Sequence, residues 1–145
     1  MVATITTNIR KVPVVHTGLR DIVSRLTNSF ICRAGSNNSF FINEVPAHLQ
    51  LDTDASVFAS VFTGLLDAVF AYTKDSCIRI TAMDYGNVIF LKIKDSNNPH
   101  INRMETGIKK LKPVAEMMSG SLNVTIRNKK FTTITFGFPN LPVNQ

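Results

Sequence analysis

Apolar positions divide the chain into short alternating runs and longer stretches at helical spacing. The opening VATITTNIRKVPVV is rich in β-branched residues, which suit a pleated backbone, and it reads as a strand ending near Pro13. Leu19, Ile22, Val23 and Leu26 then recur on one helical face. Phe30 extends that stripe, and Thr17 is placed to cap the helix. The segment RAGSNN at residues 33–38 reads as a loop, and Phe40, Phe41 and Ile42 as a short strand that stops by Pro46. Asp52 or Asp54 can cap the next helix. Its apolar positions Val57, Phe58, Val61, Phe62, Leu65, Leu66 and Val69 form a face broad enough to pack hard on a sheet.

Ile78, Ile80 and Ala82 alternate with Arg79 and Thr81, and DYGN at residues 84–87 is a hairpin turn into a strand faced by Ile89, Leu91 and Ile93. Because strand side chains alternate, Asp95 falls on that same face where the strand runs out. Met104, Ile108, Leu111, Val114, Ala115 and Met118 outline a second helical region. Pro113 interrupts it or starts a fresh turn, and Gly120 closes it as a C-cap. Leu122, Val124 and Ile126 then pair through the RNKK turn with Ile134, Phe136 and Phe138. The predicted order is β-α-β-α-β-β-α-β-β. That is an α+β chain, a two-layer sandwich with helices on one face of a mixed sheet. Its 145 residues fit a single domain, 1–145.

The net charge of +6 would admit a polyanionic partner, but the cations are dispersed. The densest groups, Lys109, Lys110 and Lys112 on a helix and Arg127, Lys129 and Lys130 in a turn, read as solvated surface. The sequence therefore argues against a nucleic-acid partner. Cys32 and Cys77 share no short spacing and are expected as free, half-buried thiols, and His16, His48 and His100 make no metal spacing. Asp67 and Lys74 interrupt the most apolar run before it reaches the ~20 residues of a membrane span, and the N-terminus has no signal-peptide pattern. A cytoplasmic location without a membrane partner is expected.

RKVPVVHTGLRDIV, LLDAVFAYT, KDSNNP, GIKKLKPVAEMMSGSL and TTITFGFP, five blocks in this order, resemble the GHKL (Bergerat) fold of histidine-kinase-like ATP-binding domains. RKVPVVHTGLRDIV is similar to the first strand and helix of such domains, and LLDAVFAYT to the N-box helix. KDSNNP stands where the family has D-x-G-x-G. GIKKLKPVAEMMSGSL resembles the G2 helix and its Gly-Ser turn, and TTITFGFP the terminal strand. The resemblance covers nearly the whole chain and implies a nucleotide site with an adenine end and a phosphate end.

At the adenine end the resemblance assigns Asp95 to the aspartate that accepts a hydrogen bond from the adenine amino group, and Thr132 to the threonine on the same edge of the base. Asn97 and Pro99 replace the two glycines after Asp95. At the phosphate end the N-box asparagine that ligates Mg²⁺ is Ala68, whose methyl group cannot coordinate a hard cation. The position of a general base one turn earlier is Gly64, and a lysine expected later is Ala71. Asp67 could ligate a metal only in a rebuilt site, being rotated about 100° around the helix. In the G2 box Gly107 remains, with Glu105 in place of its companion glycine.

The resemblance implies a degenerate domain with no catalytic residues, no resident cofactor or metal, and weak or absent ATP binding. Such a domain would act through a protein partner in two-component or related bacterial signalling, a response-regulator receiver domain being one candidate. The alternative is an active ATP- and Mg-binding kinase domain of histidine-kinase or anti-sigma-factor type, working through Asp67. In a third reading, a phosphotransfer or sensor-output fragment whose remaining domain is another chain, Lys109–Lys112 is a candidate docking surface for an acidic receiver domain.

Overall fold

The computed structural model describes residues 17–129 and 131–142, so the strand expected before Pro13 lies outside the described residues. A two-residue strand β1 (Thr17–Gly18) leads into α1 (Leu19–Asn28) and α2 (Ile31–Ser36), followed by β2 (Phe40–Asn43) and β3 (Gln50–Leu51). The long helix α3 (Ala55–Tyr72) precedes the hairpin β4 (Cys77–Tyr85) and β5 (Val88–Asp95). Two short helices, α4 (Ile101–Lys109) and α5 (Lys112–Glu116), connect to the closing hairpin β6 (Ser121–Arg127) and β7 (Phe131–Pro139). Five strands form one sheet in the order β2-β4-β5-β7-β6, while β1 and β3 pair separately. Only β2 against β4 is parallel in the large sheet, which makes it mixed.

The alternation read from β4, β5 and β7 sets the core. Ile78, Ile80, Leu91, Ile93, Ile134 and Phe136 are fully buried on the inner face, against Phe58, Phe62, Leu65 and Leu66 of α3. Phe58 stacks on Phe62 at 5.6 Å and on Phe136 at 6.1 Å, joining helix to sheet. Asp54 caps α3 as anticipated, its Oδ1 accepting from the amides of Ser56 (2.9 Å) and Val57 (3.2 Å). By length and composition α3 is apolar enough to cross a bilayer, because Asp67 alone does not break its 18 residues. Here it is the central core helix. The opposite, outer face of the sheet, bearing Arg79, Met83, Lys94 and Phe131, is exposed.

Five local expectations are corrected. Gly18, not Thr17, stands at the cap of α1, and no side chain caps it. The supposed loop at 33–38 is largely helix α2. Its composition disfavours helix, but tertiary contacts hold it: Ala34 is buried, Phe30 stacks on Phe70 at 5.8 Å, and Asn37 donates to the Phe70 carbonyl at 2.5 Å. After α5 the left-handed residue is Ser119 (φ 58°), while the Gly120 amide returns to the Ala115 carbonyl at 2.8 Å. Glycine is needed at 120 for closeness, since a Cβ there would lie 2.8 Å from the Phe136 ring. Finally, Phe138 pairs with Ile89 of β5 and extends past β6. Both cysteines are free; Cys77 is half-buried, but Cys32 is exposed.

Candidate functional site

Asp95 ends β5 with its side chain turned inward, and it is 2% exposed. The chain surrounds it with donors. Oδ1 accepts from Thr73 Oγ1 (2.9 Å), Ser76 Oγ (2.5 Å) and the Asn97 amide (3.1 Å), and Oδ2 accepts from Asn98 Nδ2 (3.0 Å). Asn98 is completely buried, and its side-chain oxygen accepts from the His100 amide at 3.1 Å. Its Nδ2 also lies 3.3 Å from Met104 Sδ on α4. Ser76 is reached in turn by the amides of Ser96 (3.1 Å) and Asn97 (3.2 Å). One carboxyl group thereby ties the turn after α3 to the loop after β5. Buried polar atoms require such partners, and a fully connected network holds its members in one geometry.

Thr132 faces Asp95 across the β5–β7 register and is equally buried, but its hydroxyl has no hydrogen-bond partner. Asn97 donates through Nδ2 to the Lys74 carbonyl at 2.6 Å and acts as a turn former. The left-handed residue of this corner is Asp75 (φ 50°), not Asn97.

The phosphate-end positions lie along α3. Ala68 is buried, and a Cβ built on Gly107 of α4 would meet its methyl group at 3.4 Å. One turn earlier, a Cβ on Gly64 would come within 2.5 Å of Leu111 Cδ2, closer than side chains approach. The small residues of α3 are therefore contact points for the segment that follows β5, with helices touching where side chains are absent. Asp67 lies on another flank, where it pairs with Arg33 of α2; their side chains are 63% and 45% exposed. Among the described residues no group of three or more His, Cys, Asp or Glu is placed to hold a metal.

The structure thus brings Asp95 and Thr132 together at one end and Ala68 and Gly107 together at the other, and it directs Asp67 elsewhere. Thr73, Ser76 and Asn98 did not emerge from the sequence. Their signal is a cluster of small polar residues on both sides of a strand pair: Ser76 lies two residues before Ile78, which is the partner of Asp95 in the β4–β5 register.

No protein-family model matches the chain, and no curated protein matches it. Solved structures do. The catalytic domain of histidine kinase ThkA, in a nucleotide-free form, superposes with TM-score 0.74 at 16% identity, over 88% of this chain and 96% of that one. The mycobacterial sensor histidine kinase MprB gives 0.69 at 16% identity, over 89% and 99%. The Acinetobacter baumannii histidine kinase AdeS gives 0.73 at 12% identity, over 87% of this chain and 66% of that one. This chain thus spans about two thirds of AdeS. It has the GHKL fold of histidine-kinase catalytic domains, and at these identities the likeness concerns the fold.

Proposed function

We propose that the chain is a histidine-kinase-like ATPase domain without phosphotransfer chemistry, serving as a protein-interaction module in two-component or related bacterial signalling in the cytoplasm. The observation that carries this reading is the closed shell around Asp95. In the family that the sequence resembles, the equivalent carboxylate receives the adenine amino group. Here Asn98 Nδ2 donates to Oδ2 and three further donors engage Oδ1. A base entering this corner would have to expel a buried amide and leave its partners unpaired, at about 1–3 kcal/mol per group.

The phosphate end supports the same reading. Ala68 and Gly64 bring no ligand or base, and Gly107 and Leu111 lie against them. Asp67, the carboxylate named for a rebuilt magnesium site, is engaged with Arg33, which weighs against an active kinase. The partner surface we favour is the exposed group Lys109, Lys110 and Lys112 at the junction of α4 and α5, facing an acidic protein such as a receiver domain.

Calorimetric titration with ATP and ADP, each with and without Mg²⁺, tests the nucleotide half of the proposal. No heat and no thermal shift are expected. Magnesium-dependent binding at micromolar concentration would overturn it.

A further inference from the structure

The dispersal of cations along the chain is undone by the sheet. Strand alternation carries Arg79, Lys92, Lys94 and Arg127 to the outer face, away from the helices, where they line a concavity of about 810 Å³. Its rim includes Asp95 and Thr132, but their side chains belong to the inner face. The register orders the polar groups: Lys94 lies between Arg79 and Thr133, and Lys92 between Thr81 and Thr135. Glu44 pairs with Arg79 at 2.7 Å. Among the described residues no carboxylate forms an ion pair with Lys92, Lys94 or Arg127.

Aromatic side chains flank this basic strip on the same face. Phe131, 43% exposed, stands at one end of it. Towards the other end, Tyr85 (63% exposed) meets Phe90 edge-on at 5.8 Å, two residues before Lys92. Lys92 and Lys94, two residues apart on one strand, are separated by about 6.8 Å along it. Cations at this spacing can follow successive phosphates of an extended strand, hydroxyls between them can bond sugars or base edges, and rings at the margins can stack bases. A duplex would keep its bases stacked on one another, away from the rings; protein interfaces also use aromatic anchors, so an acidic protein is the competing outcome that the polyglutamate arm of the test detects.

We propose that the outer face of the sheet binds single-stranded nucleic acid, with phosphates on Lys92, Lys94 and Arg127 and bases against Tyr85, Phe90 and Phe131. This surface lies on the opposite side of the sheet from the Asp95 corner and is independent of any nucleotide held there.

Fluorescence anisotropy of the full chain with labelled oligo-dT and oligo-U of about 12 nucleotides provides the test. Titrations at several salt concentrations between roughly 50 and 200 mM would be set against a duplex of the same length and against polyglutamate. Both single strands should bind, and log affinity should fall linearly with log salt. Lys92→Gln with Lys94→Gln should weaken binding at least tenfold at the lower salt and reduce the slope by about 1.4, at ~0.7 per phosphate contact. Because Lys92 is half-buried, Lys94→Gln with Arg127→Gln serves as a second pair, checked by circular dichroism for an unchanged fold. Tyr85→Ser should cost about tenfold without changing the slope. Lys109→Gln with Lys110→Gln should leave affinity as it was. Failure of both single strands to bind at low salt would overturn the proposal. So would tighter binding of the duplex, tighter binding of polyglutamate, or a loss that follows the α4 lysines.

Discussion

At the Asp95 end of the inner face the polar side chains are present and nearly all are engaged; at the α3–α4 contact the side chains that would do chemistry are missing and two helices touch. Both ends belong to one nucleotide site in the family that the sequence resembles, yet they are closed by opposite means. At the first, donors from Thr73, Ser76, Asn97 and Asn98 converge on a carboxyl group that the motif comparison singles out. At the second, Gly64 and Ala68 accept Leu111 and Gly107 at contact distance. A matching residue is therefore no measure of a working site, because what matters is which atoms its side chain already holds. The two ends should also differ in how they reopen: the first by truncating one side chain, the second by moving the Leu111 side chain off Gly64 and shifting α4 away from Ala68.

The most disruptive way to break this comparison is Asp95→Ala. It removes the acceptor shared by three buried side-chain donors, of which Thr73 keeps the Asn97 carbonyl (3.0 Å) and Ser76 keeps Ser96 Oγ (3.0 Å). It should lower unfolding stability by about 2–4 kcal/mol, read from urea denaturation. A loss below ~1 kcal/mol would mean that the network is not structural. Next comes the paired replacement Gly64→Glu with Ala68→Asn, which restores a base and a metal ligand in type. Overpacking against Leu111 and Gly107 should cost about 2–4 kcal/mol, with no Mg-ATP thermal shift. An unchanged melting temperature would show that α4 swings aside freely and that this end is not closed. Asn98→Ala sharpens the contrast. It should cost about 1–3 kcal/mol and open the corner, so that millimolar adenosine raises the melting temperature of the variant but not of the parent. The smallest effect is expected from Thr132→Val. It removes an unpartnered buried hydroxyl at nearly constant volume and should shift stability by at most about 1 kcal/mol, towards greater stability. A clear loss of stability would reveal a partner for that hydroxyl.

Most of the sheet was legible because its physics is local in sequence. Alternation placed Ile89, Leu91, Ile93 and Asp95 on one face, and the 84–87 turn joined β4 to β5. Asp54 and Pro113 marked helix starts through backbone chemistry that needs no distant partner. Helix α2 was not legible, since Gly35 and its polar neighbours suit a turn and its stability comes from Phe70 and Asp67, more than thirty residues away. The site divided in the same way. Asp95 and Thr132 could be found from a motif and strand parity, whereas Asn98 sat in a segment read only as substituted glycine positions. That its amide reaches back to Asp95 depends on the path of the loop through 96–100. The basic strip was hidden for a related reason: Arg127 lies more than thirty residues beyond Lys92 and Lys94 and is brought beside their strand only through β7.

The parallel pairing of β2 with β4 sets an order of assembly. The β4–β5 hairpin closes through Gly86, which holds φ 62° at its tip, and such hairpins form in about 1–10 μs. Strand β2 has four residues and, among the described residues, pairs only with β4, and the intervening chain includes all of α3. Its hydrogen bonds form only after that crossover has closed, a search whose entropy must be lost before any contact rewards it. The four antiparallel strands can therefore assemble as a unit while β2 docks late. Among the described residues β2 is one edge of the sheet in the native state, so its amides should exchange with solvent well before those of β5 and β7.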